Sequence, residues 1–189
     1  MASAVTHLFA AGVLGKTFMA RKMPVRFWAL AAFCSLIPDI DLIGYSYGIK
    51  YGDMLGHRGF THSLSFAFLL SILVVGAAFH ALPRFSKAWW QLVGYFFLAT
   101  ASHGVLDAMT DRGLGTGFFI PFDDSRYFLF WRPLHASPLR IARFFSEQGV
   151  HIITGELLSV WLPLCAIYAG VWISRKKSVH TANPSKALP

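Results

Sequence analysis

Charged side chains are scarce in this 189-residue chain, where Asp, Glu, Lys and Arg together make up only 14%. Typical soluble domains carry about a quarter. Hydrophobic residues account for 55%, and the mean hydropathy is positive, at +0.51. The 18 Phe, 6 Trp and 6 Tyr are the bulky side chains that helices use against lipid and at its interface. The balance argues against an ordinary soluble enzyme and predicts a membrane protein.

Cysteine is almost absent. The two residues, Cys34 and Cys165, both lie within apolar segments, so neither a disulfide framework nor a CxxC metal site is available. Internal repeats are also lacking, and the N-terminus has neither a basic region before its apolar segment nor a clear cleavage site. No removable signal peptide is therefore expected.

Positive charge is plentiful, with a net charge of +8 and a pI near 9.8. The basic residues occur in short groups between apolar runs and not in one continuous patch. This distribution is typical of membrane topology signals and argues against nucleic-acid binding.

The apolar runs predict an all-α polytopic bundle of about five membrane spans, since a span needs roughly 20 residues. Four spans are clear and the N-terminal one is weaker. In chain order they are Ala2 to Ala20, Val25 to Tyr45, Ser63 to Leu82, Trp89 to Met109 and Glu156 to Ile173. A long loop separates the last two. Residues 1–177 are expected to form one integral membrane domain, and 178–189 a polar, disordered tail.

Basic residues predict the orientation, because cytoplasmic loops are enriched in Lys and Arg. Three basic groups alternate with the other connections: Arg21, Lys22 and Arg26; Arg84 and Lys87; and Arg175, Lys176 and Lys177. This places the C-terminus in the cytoplasm and the N-terminus outside. All nine acidic residues then fall on the non-cytoplasmic side.

Three groups of ionisable residues lie at that side. His103 and Asp107 are four residues apart on a predicted helix, so both side chains share a face. Asp39 and Asp41 follow Pro38, which is expected to end a helix. The third group is the segment His57-Arg58-Gly59-Phe60-Thr61-His62-Ser63, directly before a predicted helix, and His7 opens the first span.

Each group also has an ordinary structural explanation: an HxxxD pair can simply be hydrogen-bonded, and an Asp turn can cap a helix. Their coincidence at one membrane face favours a metal or proton-handling site, because ionisable groups within spans are costly unless they pair or function. Imidazole and carboxylate ligands suit zinc first, with manganese or iron as alternatives. The predicted ligands are His7, Asp39, His57, His62, His103 and Asp107.

The order of these motifs resembles the YdjM-type family of membrane-bound hydrolases assigned as metal-dependent, which LexA regulates in some bacteria. The residues that carry the resemblance are His7, Pro38-Asp39-Ile40-Asp41, His57 to Ser63, and His103-Gly104-Val105-Leu106-Asp107, within about residues 1–125. The resemblance implies an integral protein of the bacterial inner membrane whose His and Asp residues bind metal. In ligand types alone, the set is also distantly similar to zinc-dependent phospholipase C.

The working hypothesis is a hydrolase in which a metal-activated water attacks an ester or phosphoester. Asp41 is the candidate general base or a further ligand, and Arg58 would neutralise an anionic substrate or oxyanion. A site at the lipid boundary suggests membrane lipids, or a lipid-linked phosphoester, as partner and substrate. A proton or metal transporter and a non-catalytic module with a structural metal are the alternatives. His135, His151 and Glu156 are not assigned to the site.

Overall fold

The protein is described by a computed structural model, which covers residues 1–137 and 147–182. Its α-helices are α1 (Ala4–Phe18), α2 (Val25–Leu36), α3 (Leu64–Ala78), α4 (Lys87–Ala108), α5 (Glu147–Glu156) and α6 (Leu162–Ala182). Two 3-10 segments (Ile37–Tyr47 and Phe60–His62) and a π-helical segment (Leu157–Trp161) complete the regular structure. Within this part of the chain there are two isolated β-bridges but no strand. The predicted all-α fold is confirmed.

Local sequence signals explain where the helices begin. Ser3, Ser63 and Ser86 precede α1, α3 and α4, and each side-chain oxygen accepts a hydrogen bond from a backbone N–H in the first turn. Such caps satisfy donors that helix geometry leaves unpaired. Pro38 lacks the N–H needed to continue α2, and the chain changes there to 3-10 winding and does not turn away.

The five predicted spans all coincide with helices, but the helices differ in length. Two continuous stretches are long and apolar enough to cross a membrane, Val25–Tyr47 and Gly149–Lys177. By contrast, α1 and α3 have only 15 residues each, about 22 Å at 1.5 Å per residue. The α-helix α6 also continues to Ala182, which makes the first residues of the predicted tail helical; residues 183–189 lie outside the described part.

The apolar core lies between α1, α2, α3 and α4. Phe27, Tyr95 and Phe96 are fully buried there, and the Tyr95 hydroxyl donates to the Ala11 carbonyl at 3.0 Å. Aromatic packing of this size fixes how the helices cross. The site-bearing ends of these helices are thereby held together at one end of the bundle.

Basic residues meet at the other end. The Arg175 guanidinium donates to the Thr17 carbonyl at 2.6 Å, so the end of α1 and the late part of α6 are neighbours. A helix C-terminus favours a cation, because its carbonyls carry partial negative charge.

Candidate metal centre

Four helical elements bring five predicted ligands together. His7 lies on α1, Asp39 on the 3-10 segment after α2, His62 on the short 3-10 segment before α3, and His103 and Asp107 on the last turns of α4. One ligand atom from each of Asp39, His62, His103 and Asp107 can be chosen so that all four lie within 4.8 Å of one another. The four residues form a cluster that could hold a metal ion.

The separations within the cluster match those of atoms around one ion. His103 Nε2 lies 3.3 Å from Asp39 Oδ1, and His62 Nε2 lies 3.7 Å from both Asp39 Oδ1 and Asp107 Oδ2. Ligand atoms about 2.0–2.2 Å from a tetrahedral zinc ion are roughly 3.4 Å apart. The donor set of two imidazoles and two carboxylates fits zinc, manganese or iron.

Several of these atoms have no hydrogen-bond partner although they are buried. The group comprises both nitrogens of His7, Asp39 Oδ1, His62 Nε2, His103 Nε2 and Asp107 Oδ2. Unpaired buried polar atoms are rare, and each costs about 1–3 kcal/mol. Within this group, the unpaired atoms of Asp39, His62 and His103 approach one another and Asp107 Oδ2, which also lies 3.0 Å from Arg58 Nε. This is the pattern expected of residues that bind a cation.

His7 packs on the edge of this cluster. Its ring stacks on the His103 ring, with 3.7 Å between centroids, and its Nε2 lies 3.6 Å from Asp107 Oδ1. Since neither nitrogen of His7 has a hydrogen-bond partner, the ring is available as a fifth ligand.

Backbone and carboxylate contacts orient the other two imidazoles. A carbonyl can only accept, so the 2.7 Å contact between His103 Nδ1 and the Ser35 carbonyl places the proton on Nδ1 and leaves the Nε2 lone pair for the cluster. In the same way, His62 Nδ1 contacts Asp41 Oδ2 at 3.1 Å. Such contacts around a metal ligand fix its tautomer and ring angle.

Asp39 and Asp41 have different environments. A 3-10 helix has 3.0 residues per turn, so side chains two positions apart point about 120° away from each other. Asp39 faces the cluster. Asp41 faces away from it, and its two oxygens contact His57 Nδ1 at 2.8 Å, the Arg58 N–H at 3.0 Å and the Thr61 hydroxyl at 2.8 Å.

His57 lies outside the four-residue cluster. With Asp41 and His62 it forms a second group that is close enough to hold an ion. The Asp41 contacts to His57 and His62 are at hydrogen-bond distance, however, so this group is satisfied without one. The structure thus separates His57 from the converging ligands that the sequence grouped it with.

Arg58 is fully buried and bound to protein. Its Nε lies 3.0 Å from Asp107 Oδ2, and its terminal nitrogens donate to the Arg112 carbonyl and the Thr110 hydroxyl, both at 3.0 Å. Its backbone is left-handed, with φ of 63°, a conformation that is uncommon for this residue type and is often found at functional sites. Arg58 therefore holds Asp107 and does not extend into open space.

Electrostatics favour charge in the cluster. Burial alone lowers the pKa of His62, but the nearby carboxylates of Asp39 and Asp41 outweigh it and raise the pKa to about 9. Without a metal, His62 is therefore protonated at neutral pH, and a proton occupies the position that suits a cation.

A cavity of about 330 Å³ borders the site on the side of His57. Its walls include Leu42, Tyr45, Tyr51, His57, Arg58 and Arg112. His57 Nε2 makes no hydrogen bond with the described residues, and no other imidazole among the six predicted ligands borders this cavity.

Three histidine or acidic residues left unassigned by the sequence take other places. His135 and His151 line a separate cavity of about 370 Å³, where His135 Nδ1 contacts Asp111 at 2.9 Å. Glu156 is fully buried against the start of α1. The sequence could have indicated a role for Glu156, because it is the one acid in a long apolar helix. No sequence pattern indicated that the Ser35 carbonyl would contact His103 or that Thr110 would contact Arg58.

Fold and site define a helical protein with long apolar helices and a buried His–carboxylate cluster. Residues 1–179 match the family described as YdjM inner membrane protein, and the chain belongs to that family. It is also 31% identical, over 93% of its length, to the whole of the inner membrane protein YbcI of Escherichia coli (strain K12). No solved structure matches. The family resemblance is confirmed, and it extends beyond residue 125 to include the last helix.

Proposed function

We propose that the protein is a membrane-bound, metal-dependent hydrolase of an ester or phosphoester. The observation that carries the proposal is the convergence of buried ligand atoms from Asp39, His62, His103 and Asp107, most of them without a hydrogen-bond partner, with His7 beside them. Zinc is the first candidate ion, with manganese and iron as alternatives.

The residues have distinct roles in this proposal. Asp39, His62, His103, Asp107 and His7 hold the ion, which when bound supplies Lewis-acid chemistry by lowering the pKa of a coordinated water and polarising the substrate. Arg58 keeps Asp107 ionised and in place through their 3.0 Å contact. An anion-binding role for Arg58 stays a prediction from sequence.

Proton transfer falls to His57 in this arrangement. Both oxygens of Asp41 are engaged by its neighbours, so Asp41 positions His57 and is not itself the base. A carboxylate on Nδ1 orients an imidazole and leaves Nε2 to take up or give a proton, and His57 lines the cavity. The sequence-based assignment of His57 as a ligand is replaced in this proposal by a role as general acid or base.

The substrate proposed is an anionic ester with an apolar part, such as a lipid or lipid-linked phosphoester. Arg112 borders the 330 Å³ cavity, and no hydrogen bond of its side chain is found among the described residues, so it is the cation offered to a phosphate. Leu42 and Tyr45, which line the same cavity, would contact the apolar part.

We further propose that all five helical units span the inner membrane, with the site at the non-cytoplasmic face and the C-terminus in the cytoplasm. The long helices Val25–Tyr47 and Gly149–Lys177 support two of the spans. The short α3 exposes Phe68, Leu69 and Leu73 as a lipid-facing surface would. Local thinning of the bilayer accommodates helices of this length at modest cost.

Metal analysis tests the proposal directly. Detergent-purified wild type should carry about one equivalent of a divalent ion, and His62→Ala and Asp107→Ala should each lose it. His80→Ala is the matched control, because His80 lies in the exposed connection after α3 and outside the cluster. A wild type without stoichiometric metal would sink the idea.

Hydrolysis assays then decide between the functions. Zinc-loaded wild type should cleave members of a phospholipid and phosphoester panel, and His57→Gln should retain the metal but lose most turnover. If the metal binds, no ester is cleaved and protein-loaded liposomes take up the ion, the protein is a transporter.

A further inference from the structure

Glu156 is a buried carboxylate that the proposed reaction does not use. It is 0% exposed and is the one acidic residue in the apolar helix Gly149–Lys177. An ionisable group in such a helix is usually retained for a specific interaction.

Its partners are the first residues of α1. The carboxylate accepts hydrogen bonds from the Ser3 N–H at 2.6 Å, from the Ser3 hydroxyl, and from the Thr6 hydroxyl at 2.7 Å. Ser3 is also the N-cap of α1, and its hydroxyl oxygen accepts from the Thr6 N–H at 3.2 Å. Glu156 thus lies at the positive end of α1, where a negative charge is stabilised.

Two members of the metal cluster are attached to this contact. His7 directly follows Thr6 and stacks on His103. On the other side of Ser3, the Ala2 N–H donates to Asp107 Oδ1 at 2.8 Å. Fixing Ser3 and Thr6 therefore fixes both the His7 ring and one oxygen of Asp107.

The π-helical segment Leu157–Trp161 adds an independent observation. It begins directly after Glu156 and ends at Trp161, whose Nε1 donates to the Thr6 hydroxyl oxygen at 2.7 Å. In an α-helix, residues five apart point about 140° away from each other. The i→i+5 pattern of a π-helix turns such residues towards one side, and both here contact the Thr6 hydroxyl.

We infer that Glu156, together with Trp161, is a positioning residue. By holding Ser3 and Thr6, it fixes the position of the start of α1 against the last helix and so places His7 and Asp107 for metal binding. This inference rests on the proposed metal site. It also gives the last helix a role in a site to which it contributes no ligand.

Cobalt binding to full-length protein in detergent provides the test, because the visible absorption of Co²⁺ reports its ligands as well as its affinity. Glu156→Ala should weaken Co²⁺ binding about 10–100-fold, as loss of a contact around a ligand does elsewhere, and should shift the spectrum towards that of His7→Ala. Glu156→Gln should restore most of the affinity, since its amide oxygen still accepts. Glu147→Ala, at the exposed start of the same helix α5, is the control and should bind as wild type.

A double variant separates positioning from general damage. If Glu156 acts in part through His7, the His7→Ala/Glu156→Ala protein should lose less affinity than the product of the two single losses, because coupled residues are not additive. Independent, multiplying losses would overturn the inference, as would a Glu147→Ala loss equal to that of Glu156→Ala. Thr6→Val provides a milder disruption should Glu156→Ala not fold, and the same weakening is expected.

Metal-free protein makes the two failures distinguishable. Should wild type bind no Co²⁺ or Zn²⁺, the proposed function fails, and the positioning of α1 is then read from the ring ¹⁵N resonances of His7. These should move in Glu156→Ala and Thr6→Val but not in Glu147→Ala. Unchanged His7 resonances in all three variants would overturn the inference.

Discussion

At the scale of single residues, His62 would couple the proposed metal binding to protons. Asp39 and Asp41 raise its pKa to about 9, so in the metal-free protein the ring is protonated at pH 7. A ligand nitrogen must lose its proton before it can bind a metal ion. In the proposed site, a metal ion therefore replaces the proton on His62.

We expect zinc binding at pH 7 to release about one proton from His62. Because the folded-state pKa is raised, the proton is held throughout the range below about 9, and apparent affinity should fall by up to about tenfold for each pH unit lowered there. Calorimetry in two buffers of different ionisation enthalpy measures the released proton. Binding heats that do not depend on the buffer would contradict this assignment.

Asp41 should matter although it contacts no ion in our proposal. Asp41→Asn replaces an oxygen that accepts from the Arg58 N–H and Thr61 by an amide donor, and it removes the charge that orients His57 and His62. We expect metal affinity to fall about 10–100-fold, measured by competition with a zinc chelator. Asp53→Asn, where an exposed carboxylate only accepts from the Lys50 N–H, should bind zinc as wild type.

At the scale of elements, the sequence predicted which helices carry the site. It predicted less well which side chains point into the site. His103 and Asp107 face the cluster because their four-residue spacing needs only an α-helix, which the apolar run indicates. Asp39 and Asp41 were predicted as a pair, yet they separate because Pro38 is followed by 3-10 winding. Arg58 and His57 depended on tertiary contacts with Asp107 and Asp41, which no local pattern encodes.

The loop before α3 depends on close backbone packing at Gly59. A Cβ there would lie 2.2 Å from the Met54 carbonyl oxygen and 2.7 Å from that of Gly56, and neither backbone atom can move away cheaply. Gly59→Ala should cost about 1–3 kcal/mol of stability and weaken metal binding, since the loop carries Arg58 and His62. Thermal unfolding in detergent measures the first effect and zinc titration the second.

Gly76 provides the comparison for that variant. It lies within α3, and a Cβ added there would meet no atom within 4 Å, so Gly76→Ala should leave the melting temperature unchanged or raise it. If Gly59→Ala proved as stable as Gly76→Ala, the carbonyl oxygens of Met54 and Gly56 could not lie as close to residue 59 as these distances state.

At the scale of the whole molecule, the two ends of the bundle differ in charge. One end contains the cluster with Asp39, Asp41 and Asp107, and the other joins α1 to α6 through Arg175 and Thr17. In the proposed topology, the positive-inside rule places the basic end in the cytoplasm. Five crossings then require the short helices α1 and α3, which have 15 residues each, to cross as well.

Cysteine labelling across α3 tests the topology. Tyr47 is 81% exposed before α3 and Phe85 is 70% exposed after it, so in the proposed five-span topology one crossing separates them. In a Cys165→Ala background that retains buried Cys34, a membrane-impermeant maleimide should label Tyr47→Cys in intact cells with the outer membrane permeabilised. It should reach Phe85→Cys only after the inner membrane is opened.

A reporter fused after Lys177 should read as cytoplasmic, on the same side as Phe85, because two further crossings separate them in a five-span chain. Labelling of both cysteines from the same side would mean that α3 does not cross, and the site would then lie within a bundle of fewer spans. If Tyr47→Cys lay in the cytoplasm and both Phe85→Cys and the reporter lay outside, the chain would still cross five times, but in the inverted orientation. Only the predicted combination puts the cluster and the cavity beside His57 together at the non-cytoplasmic surface, where the proposed substrate, an anionic lipid ester of the outer leaflet, would reach them.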